Sequence, residues 1–379
     1  DGIKVENLRY GLRAVKINGP YSSNNFADLV YYLLTDKTQG VGNAVPAELI
    51  DKTSLETTAD FLFHNQIFFD GVLEDSESIR GFLYDTAPLQ LCTFTIKNGK
   101  FGMQPALPFY KTRHEDSDGN LIAIEGRKIN SNTPLDIDQI FTAGNIIEDT
   151  LQVQYIDISQ RSNIRAVVTW RVTQENDLPY QASALLYWAD LDDASTTEQS
   201  FDLSEFCTNR EQALKTARFL MSTRRRVTKT ISFKTAPDAL SVEPGSYIRV
   251  ITEASTYNAL SNGLIQEGGQ VAGFADVEPG TYDALLYGSA SQEVIEAEIE
   301  ITENESGFPV VEDERFHGYL FSLLTRETDY SAYQIDSLNL EEDGLVSISA
   351  VEVPTDENGH SIVAKDVLDE SDSIFRVIE

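Results

Sequence analysis

From residue 150 onward the chain alternates apolar and polar residues again and again, and that period confines what it can fold into. "NIRAVVTWRV", "ASALLYWADL" and "VTKTISFKT" each put every second side chain on one face, as do the two arms of "YQIDSLNLEEDGLVSISAVEV". A period of two is the mark of a strand with one buried face. Turn signals separate these runs: Pro244-Gly245 in "LSVEPGSYIRVITEA", read as strand, turn, strand, and Asp343-Gly344 in the last hairpin. "DTLQVQYID" adds one more strand before "NIRAVVTWRV". One helix interrupts the pattern. In "NREQALKTARFLMSTRRR", Ala213, Leu214, Ala217, Leu220 and Met221 fall on one face, and Arg224, Arg225 and Arg226 stand at its C-terminal end, where the helix dipole favours cations.

The first third reads differently. Residues 1–20 alternate loosely, like the end of a preceding strand unit. "FADLVYYLLTDKTQGVG" then opens as a helix, with Phe26, Leu29, Val30, Leu33 and Leu34 at helical spacing, and Gly40 and Gly42 stop it. "VPAELIDKTSLETTADFLF" gives one or two further helical segments, with Pro46 suited to a first turn. "QIFFDGVL" is strand-like. "SESIRGFLYDTAP" is a short helix with Ser76 as its cap and Pro88 as its stop. "LQLCTFTIKNGKFGMQPA" is a hairpin about Asn98-Gly99, and "HEDSDGNLIAIEGRKI" suggests another about Asp118-Gly119.

The fold class is therefore α+β and β-rich: a small α+β domain followed by barrel-like β domains carrying an acidic β insertion. The expected blocks are 1–20 as the end of a preceding unit, 21–140 as the α+β domain and 141–254 as a β-rich domain with one helix. They continue with 255–315 as the acidic β insertion and 316–379 as a closing hairpin and exit segment. A length of 379 residues suits two or three domains.

Charge bounds the function. There are 61 acidic against 29 basic residues, a net −32. Such a surface repels a phosphate backbone, so tight nucleic-acid binding by counterion release is disfavoured. Solubility, a high-salt environment and a wall past which DNA slides all fit the same number. "SQEVIEAEIEITENES" carries the charge most openly: Val294, Ile295, Ala297, Ile299 and Ile301 are interleaved with glutamates, a half-buried strand with a charged outer face. No apolar run approaches the length of a membrane span, and no signal peptide is visible. The chain begins at Asp1 rather than Met, which suggests a processed or trimmed piece.

Chemistry-bearing patterns are few. Cys92 and Cys207 read as two buried, reduced thiols. His64, His114, His317 and His360 lie apart, with no metal-ligand spacing between them. Gly40 and Gly42 lack the third glycine and the preceding strand of a dinucleotide fingerprint. Counting from Asp116, the sixth position is Leu121 and not the glycine of a calcium loop. Carboxylates are so many that acid pairs of glycosidase type arise by chance, and sequence does not give their separation. "TRRRVTK" is the one basic cluster, better read as a helix C-terminus followed by an edge strand than as a nucleic-acid patch. Trp170 and Trp188 sit in strands that look core-facing, which speaks against a sugar-binding platform. No catalytic, cofactor-binding or metal residue is assigned, and no cofactor is expected.

The order of these segments resembles a known family. "FADLVYYLLTDKTQGVGNAVP", a helical stretch ending "TADFLF", then "FFDGVLEDSESIRGFLYDTAPLQLCTFTIKNGKFGMQP" is similar to the central tail hub (tip attachment, host-specificity) proteins of long-tailed bacteriophages and gene-transfer particles. Val72 and Leu73 stand where that family often has isoleucine. "DTLQVQYIDISQRSNIRAVVTWRV", "NREQALKTARFLMSTRRRVTKTISFKT" and "PDALSVEPGSYIRV" follow in the family's order, with Ser246 where an aspartate is usual. "YQIDSLNLEEDGLVSISAVEV" resembles the hairpin that closes the hub, and 255–315 resembles it least.

The resemblance implies a structural protein and not an enzyme. It implies a homotrimer at the tail tip of the virion, adapting the tube to host-recognition parts. The implied partners are a distal tail ring protein, a tape measure protein and a tail fibre or receptor-binding protein, with DNA passing through the lumen without specific binding. It also implies that a hub ending at 379 lacks its distal, host-facing part. The competing expectation is a β-rich glycan-binding or glycoside-hydrolysing surface protein.

Overall fold

The computed structural model describes residues 24–378 except 39, 72–77, 98, 111–112, 116–120, 125–126, 143, 157–163, 174–178, 191–196, 238–240, 252–261, 274–278, 289–292, 305, 307, 324–330, 342 and 370–372. The strand expectation for 1–20, the cap at Ser76 and the loop at 116–120 lie outside these residues. The chain is α+β and β-rich, as its periodicities require. It divides into two compact units, each built from separated segments. One takes in the described residues of Asp1–Thr133, Ile158–Arg226 and Ser361–Glu379; the other comprises Pro134–Asp157 and Val227–His360. The linear blocks read from the sequence do not map one to one onto these units.

In the first unit, helix α1 (Phe26–Thr35) is capped by Asn25, whose side chain accepts from the Ala27 N–H at 3.0 Å. Phe26, Leu29, Val30, Leu33 and Leu34 are all buried, on the spacing that the sequence shows. The glycine loop folds back over the helix C-terminus. Val41 N–H donates to the Leu33 carbonyl at 2.8 Å, and Gly42 N–H to that of Asp36 at 2.9 Å. A Cβ on Gly40 would lie 2.2 Å from the Leu33 carbonyl oxygen, and one on Gly42 would lie 2.1 Å from that of Thr35. The glycines are there because backbone meets backbone. A phosphate cradle would need a helix N-terminus instead.

Pro46 leads into a short 3-10 turn, Ala47–Leu49, before helix α2 (Lys52–His64), capped by Asp51. Helix α3 (Ile79–Thr86) is capped by Ser78, which accepts from the Gly81 N–H at 3.0 Å. The observed cap is thus Ser78, where the sequence suggested Ser76. The hairpin is present: Cys92–Lys97 pairs antiparallel with Lys100–Pro105, and Gly99 has φ +73° at the turn. Arg113–Glu115 pairs with Leu121–Ile124 in a second small hairpin.

A four-stranded sheet completes this unit, in the order Phe375–Ile378, Pro179–Trp188, Ile164–Thr173, Thr197–Asp202. Helix α4 (Arg210–Arg226) buries Ala213, Leu214, Ala217 and Met221, with Leu220 half-buried beside them. Helix α5 (Ile362–Leu368) follows Ser361 as its cap. The last residues, read from the sequence as an exit segment, instead return here: α5 packs on α4, and Phe375–Ile378 pairs with Pro179–Trp188.

The second unit holds two six-stranded sheets. The first runs Gln139–Thr142, Tyr247–Ile251, Ala332–Leu340, Val346–Val353, Lys229–Thr235, Gln152–Tyr155. Only its first pair is parallel. It bends into a half-barrel, because residues 139–155 leave one edge and arrive at the other: Ile147 N–H reaches the Lys234 carbonyl at 2.8 Å. Phe141, Phe233, Ile248, Tyr333, Ile335 and Ile348 fill its concave face. No strand is found among the described residues just before the Pro244-Gly245 turn, a correction to the strand-turn-strand reading. Val242 is buried as a single plug in that core, and Gly245 (φ +96°) donates to the Ile335 carbonyl at 2.7 Å.

The second sheet is threaded between Tyr247–Ile251 and Ala332–Leu340, which are hydrogen-bonded neighbours in the first. Its order is Val271–Gly273, Asn262–Ile265, Tyr319–Leu323, Gly280–Gly288, Glu293–Glu303, Pro309–Val311, all antiparallel. Its edges meet at a Gln270–Val310 bridge, where Val311 N–H donates to the Gly269 carbonyl at 2.8 Å, making a nearly closed barrel. Ile265, Leu286, Ile299, Ile301, Phe316 and Phe321 are among the side chains that fill it. On one side its outer face is apolar, with Leu285, Tyr287 and Leu320 packed on Ile140 and Ile251 of the first sheet.

Candidate functional site

The basic cluster at the end of α4 is consumed internally. Arg225 donates to both carboxylate oxygens of Asp190, at 2.9 and 2.7 Å, and its guanidinium lies 4.5 Å from the Trp188 ring centroid. This two-pronged bond holds the Asp190 carboxyl below its ordinary range and raises the arginine. Arg226 donates to Asp366 from Nε at 3.0 Å, and Arg224 to the Gln199 side chain. Asp366 is 1% exposed and also accepts from Ser222 Oγ at 2.6 Å. A helix C-terminus is what the sequence reading favoured for this cluster; the strand after it, Lys229–Thr235, is an inner strand of its sheet and not the edge strand expected.

Trp188 packs on Phe375 in a tilted pair with ring centroids 4.2 Å apart, and both tryptophans are buried. Neither presents a face to a sugar ring. Cys92 and Cys207 are buried free thiols of the same core. Burial pushes Cys92 well up and Cys207 up to about 11.

His64 is at the end of α2, with Nδ1 on the Asp60 carbonyl at 2.8 Å. His360 pairs with Asp356 at 3.4 Å. The side chain of His114 lies outside the described residues. Among the described residues no three His, Cys, Asp or Glu side chains gather as a metal site.

Sequence reasoning missed one device. "QIFFDGVL" forms no strand over its described residues. Instead Gln212 of α4 grips the Phe68 peptide from both sides, accepting from its N–H at 3.0 Å and donating to its carbonyl at 2.7 Å. Asp70 accepts from Thr208 Oγ1 at 2.7 Å and from Asn24 Nδ2 at 3.1 Å, while its own carbonyl takes a bond from Arg171. A carboxamide, flanking side chains and two isolated backbone bonds, Phe69 N–H to the Asn24 carbonyl and Asp70 N–H to that of Phe206, thus do the work of a neighbouring strand. A glutamine within an amphipathic helix carries no signal of such a role.

The acidic strand Glu293–Glu303 stands as its alternation implied. Ile299 and Ile301 are buried inside the barrel, and Glu296, Glu298 and Glu300 are exposed on its outer face. Register places Asp283 directly opposite Glu298, two carboxylates on one cross-strand pair. Beside them a hollow of about 310 Å³ is lined by Glu298, Glu300, Glu312 and Asp313, with Phe316 among the lining residues.

No family model matches the chain, and no curated protein matches it. Solved structures similar to it include two from phage-type particles or tails. One is the virion of a native gene transfer agent particle, at 12% identity and TM-score 0.29, covering 60% of this chain and 33% of that one. The other is the tail protein from Neisseria meningitidis MC58, at 10% identity and TM-score 0.28, covering 69% of this chain and 60% of that one. The chain thus spans less than two thirds of the length of either.

Proposed function

We propose that this chain is a structural component of a phage-type tail, the central hub at its tip, and not an enzyme. The observation that supports the reading is the succession of elements. The segments that carried the resemblance form separate elements in the same order: α1 closed by its glycine loop, α2, the hairpin Cys92–Pro105, the strand Ile164–Thr173, α4, the strand Lys229–Thr235, the Pro244-Gly245 turn and the hairpin Ala332–Val353. In this role the chain assembles as a homotrimer between the distal tail ring and the tape measure and fibre proteins, and DNA passes through its lumen. The exposed carboxylates of Glu293–Glu303 suit a wall that DNA passes without adhering, since like charge repels the phosphate backbone.

Immunogold electron microscopy of phage particles from the source, with antibody raised against this chain, tests the proposal. Label confined to tail tips is the expected result. Absence of label on intact and tip-opened particles, with the protein free in the lysate, would overturn it.

A further inference from the structure

The barrel is closed by backbone pairing at one seam, and a histidine sits on that seam with both ring nitrogens engaged. Nδ1 of His317 is 3.4 Å from the Gly268 backbone nitrogen, and Nε2 is 3.1 Å from the Val311 carbonyl oxygen. The two partners belong to opposite edges. Gly268 is in the turn joining Asn262–Ile265 to Val271–Gly273, and Val311 ends the last strand. A backbone N–H only donates and a carbonyl only accepts. Nδ1 must therefore be the acceptor and Nε2 must carry the proton, which fixes the neutral Nε2–H tautomer. Packing leaves no slack: a Cβ on Gly269 (φ +83°) would lie 2.4 Å from the Val311 carbonyl oxygen and 2.9 Å from His317 Nε2.

We propose that His317 is a pH-sensitive latch on the barrel seam. In its neutral form it ties the Gly268 turn to Val311. Protonation puts a hydrogen on Nδ1, facing the Gly268 N–H, so one of the two ties becomes a clash of donors while the other remains. The charged residues flanking the latch in sequence are Glu267 on the turn, Glu312 and Asp313 after the last strand, and Glu314 and Arg315 on the histidine's own 3-10 turn. Asp313 is held by Arg315 at 2.6 Å, so part of the local negative charge is already answered. Nε2 keeps its proton and its bond to the Val311 carbonyl in both states, so acid releases the turn without expelling the ring.

The test is nuclear magnetic resonance of the intact chain between pH 8 and pH 5. Ring nitrogen shifts at pH 8 should report the Nε2–H tautomer. The protection factor of the Gly268 amide should fall roughly three- to ten-fold at pH 5, the loss of about one hydrogen bond. In His317→Asn, whose carboxamide accepts at any pH, that fall should be absent. An Nδ1–H tautomer at pH 8, protection that does not change with pH, or the same fall in His317→Asn would each overturn the latch. The tautomer reading uses the unmodified chain and so stands whether or not the variant folds.

Discussion

Replacing Asp366 by alanine offers a direct measure of how the first unit is held together. The carboxylate is 1% exposed and receives Ser222 Oγ at 2.6 Å and Arg226 Nε at 3.0 Å. Removing one member of a buried ion pair costs about 3–5 kcal/mol. Here the surviving partner is not fully buried: 35% of the Arg226 side chain meets solvent and can rehydrate. The Ser222 hydroxyl, fully buried, loses its acceptor, worth about 1 kcal/mol. The net loss is therefore about 2–3 kcal/mol.

Both tryptophans lie in this unit, and Trp188 is 5.3 Å from the Arg226 guanidinium, so tryptophan fluorescence in urea reads this unit alone. The midpoint should drop by about 1 M. Arg226→Met should cost more, because it strands the carboxylate that water does not reach. Asp366→Leu combined with Arg226→Met should recover much of the loss, since an apolar pair needs no compensation. A loss below about 0.5 kcal/mol for Asp366→Ala, or strict additivity in the double variant, would refute the reasoning.

Three further outcomes follow from the geometry. Gln212→Ala should destabilise the same unit by about 1.5–3 kcal/mol in the fluorescence assay, because the Phe68 peptide loses bonds at both ends. Gly269→Ala should weaken the barrel seam by about 2–3 kcal/mol, through the positive φ and the approach to the Val311 carbonyl, read as faster amide exchange at Val310 and Val311. The Cys207 thiol, pushed up to about 11, favours the folded state fully below its ordinary value of 9.0, and that contribution disappears as pH rises through 11. At pH 8 a thiol reagent should label neither cysteine in the folded chain and both in urea; rapid native labelling would contradict the burial.

What the sequence determined is what a short window can encode. The alternation in "NIRAVVTWRV", "VTKTISFKT" and "EVIEAEIEIT" chooses strand and buried face residue by residue, and the spacing of Ala213, Leu214, Ala217 and Met221 does the same for α4. Gly99 and Gly344 mark their hairpins because only certain residues accept positive φ cheaply. The acidic outer face of Glu293–Glu303 was legible for the same local reason.

Pairing between distant segments leaves no such trace. Nothing in the window around Ile251 says that its strand's neighbour resumes at Ala332 with a whole barrel between them, or that Phe375–Ile378 returns to Pro179–Trp188. The partners of Arg226 and Gln212 lie 140 and 144 residues away. The Gly268 turn meets His317 and Val311 only once the barrel closes. Periodicity fixes which side chains face inward; only the packed chain decides which backbone edge, and which charge, each of them finds.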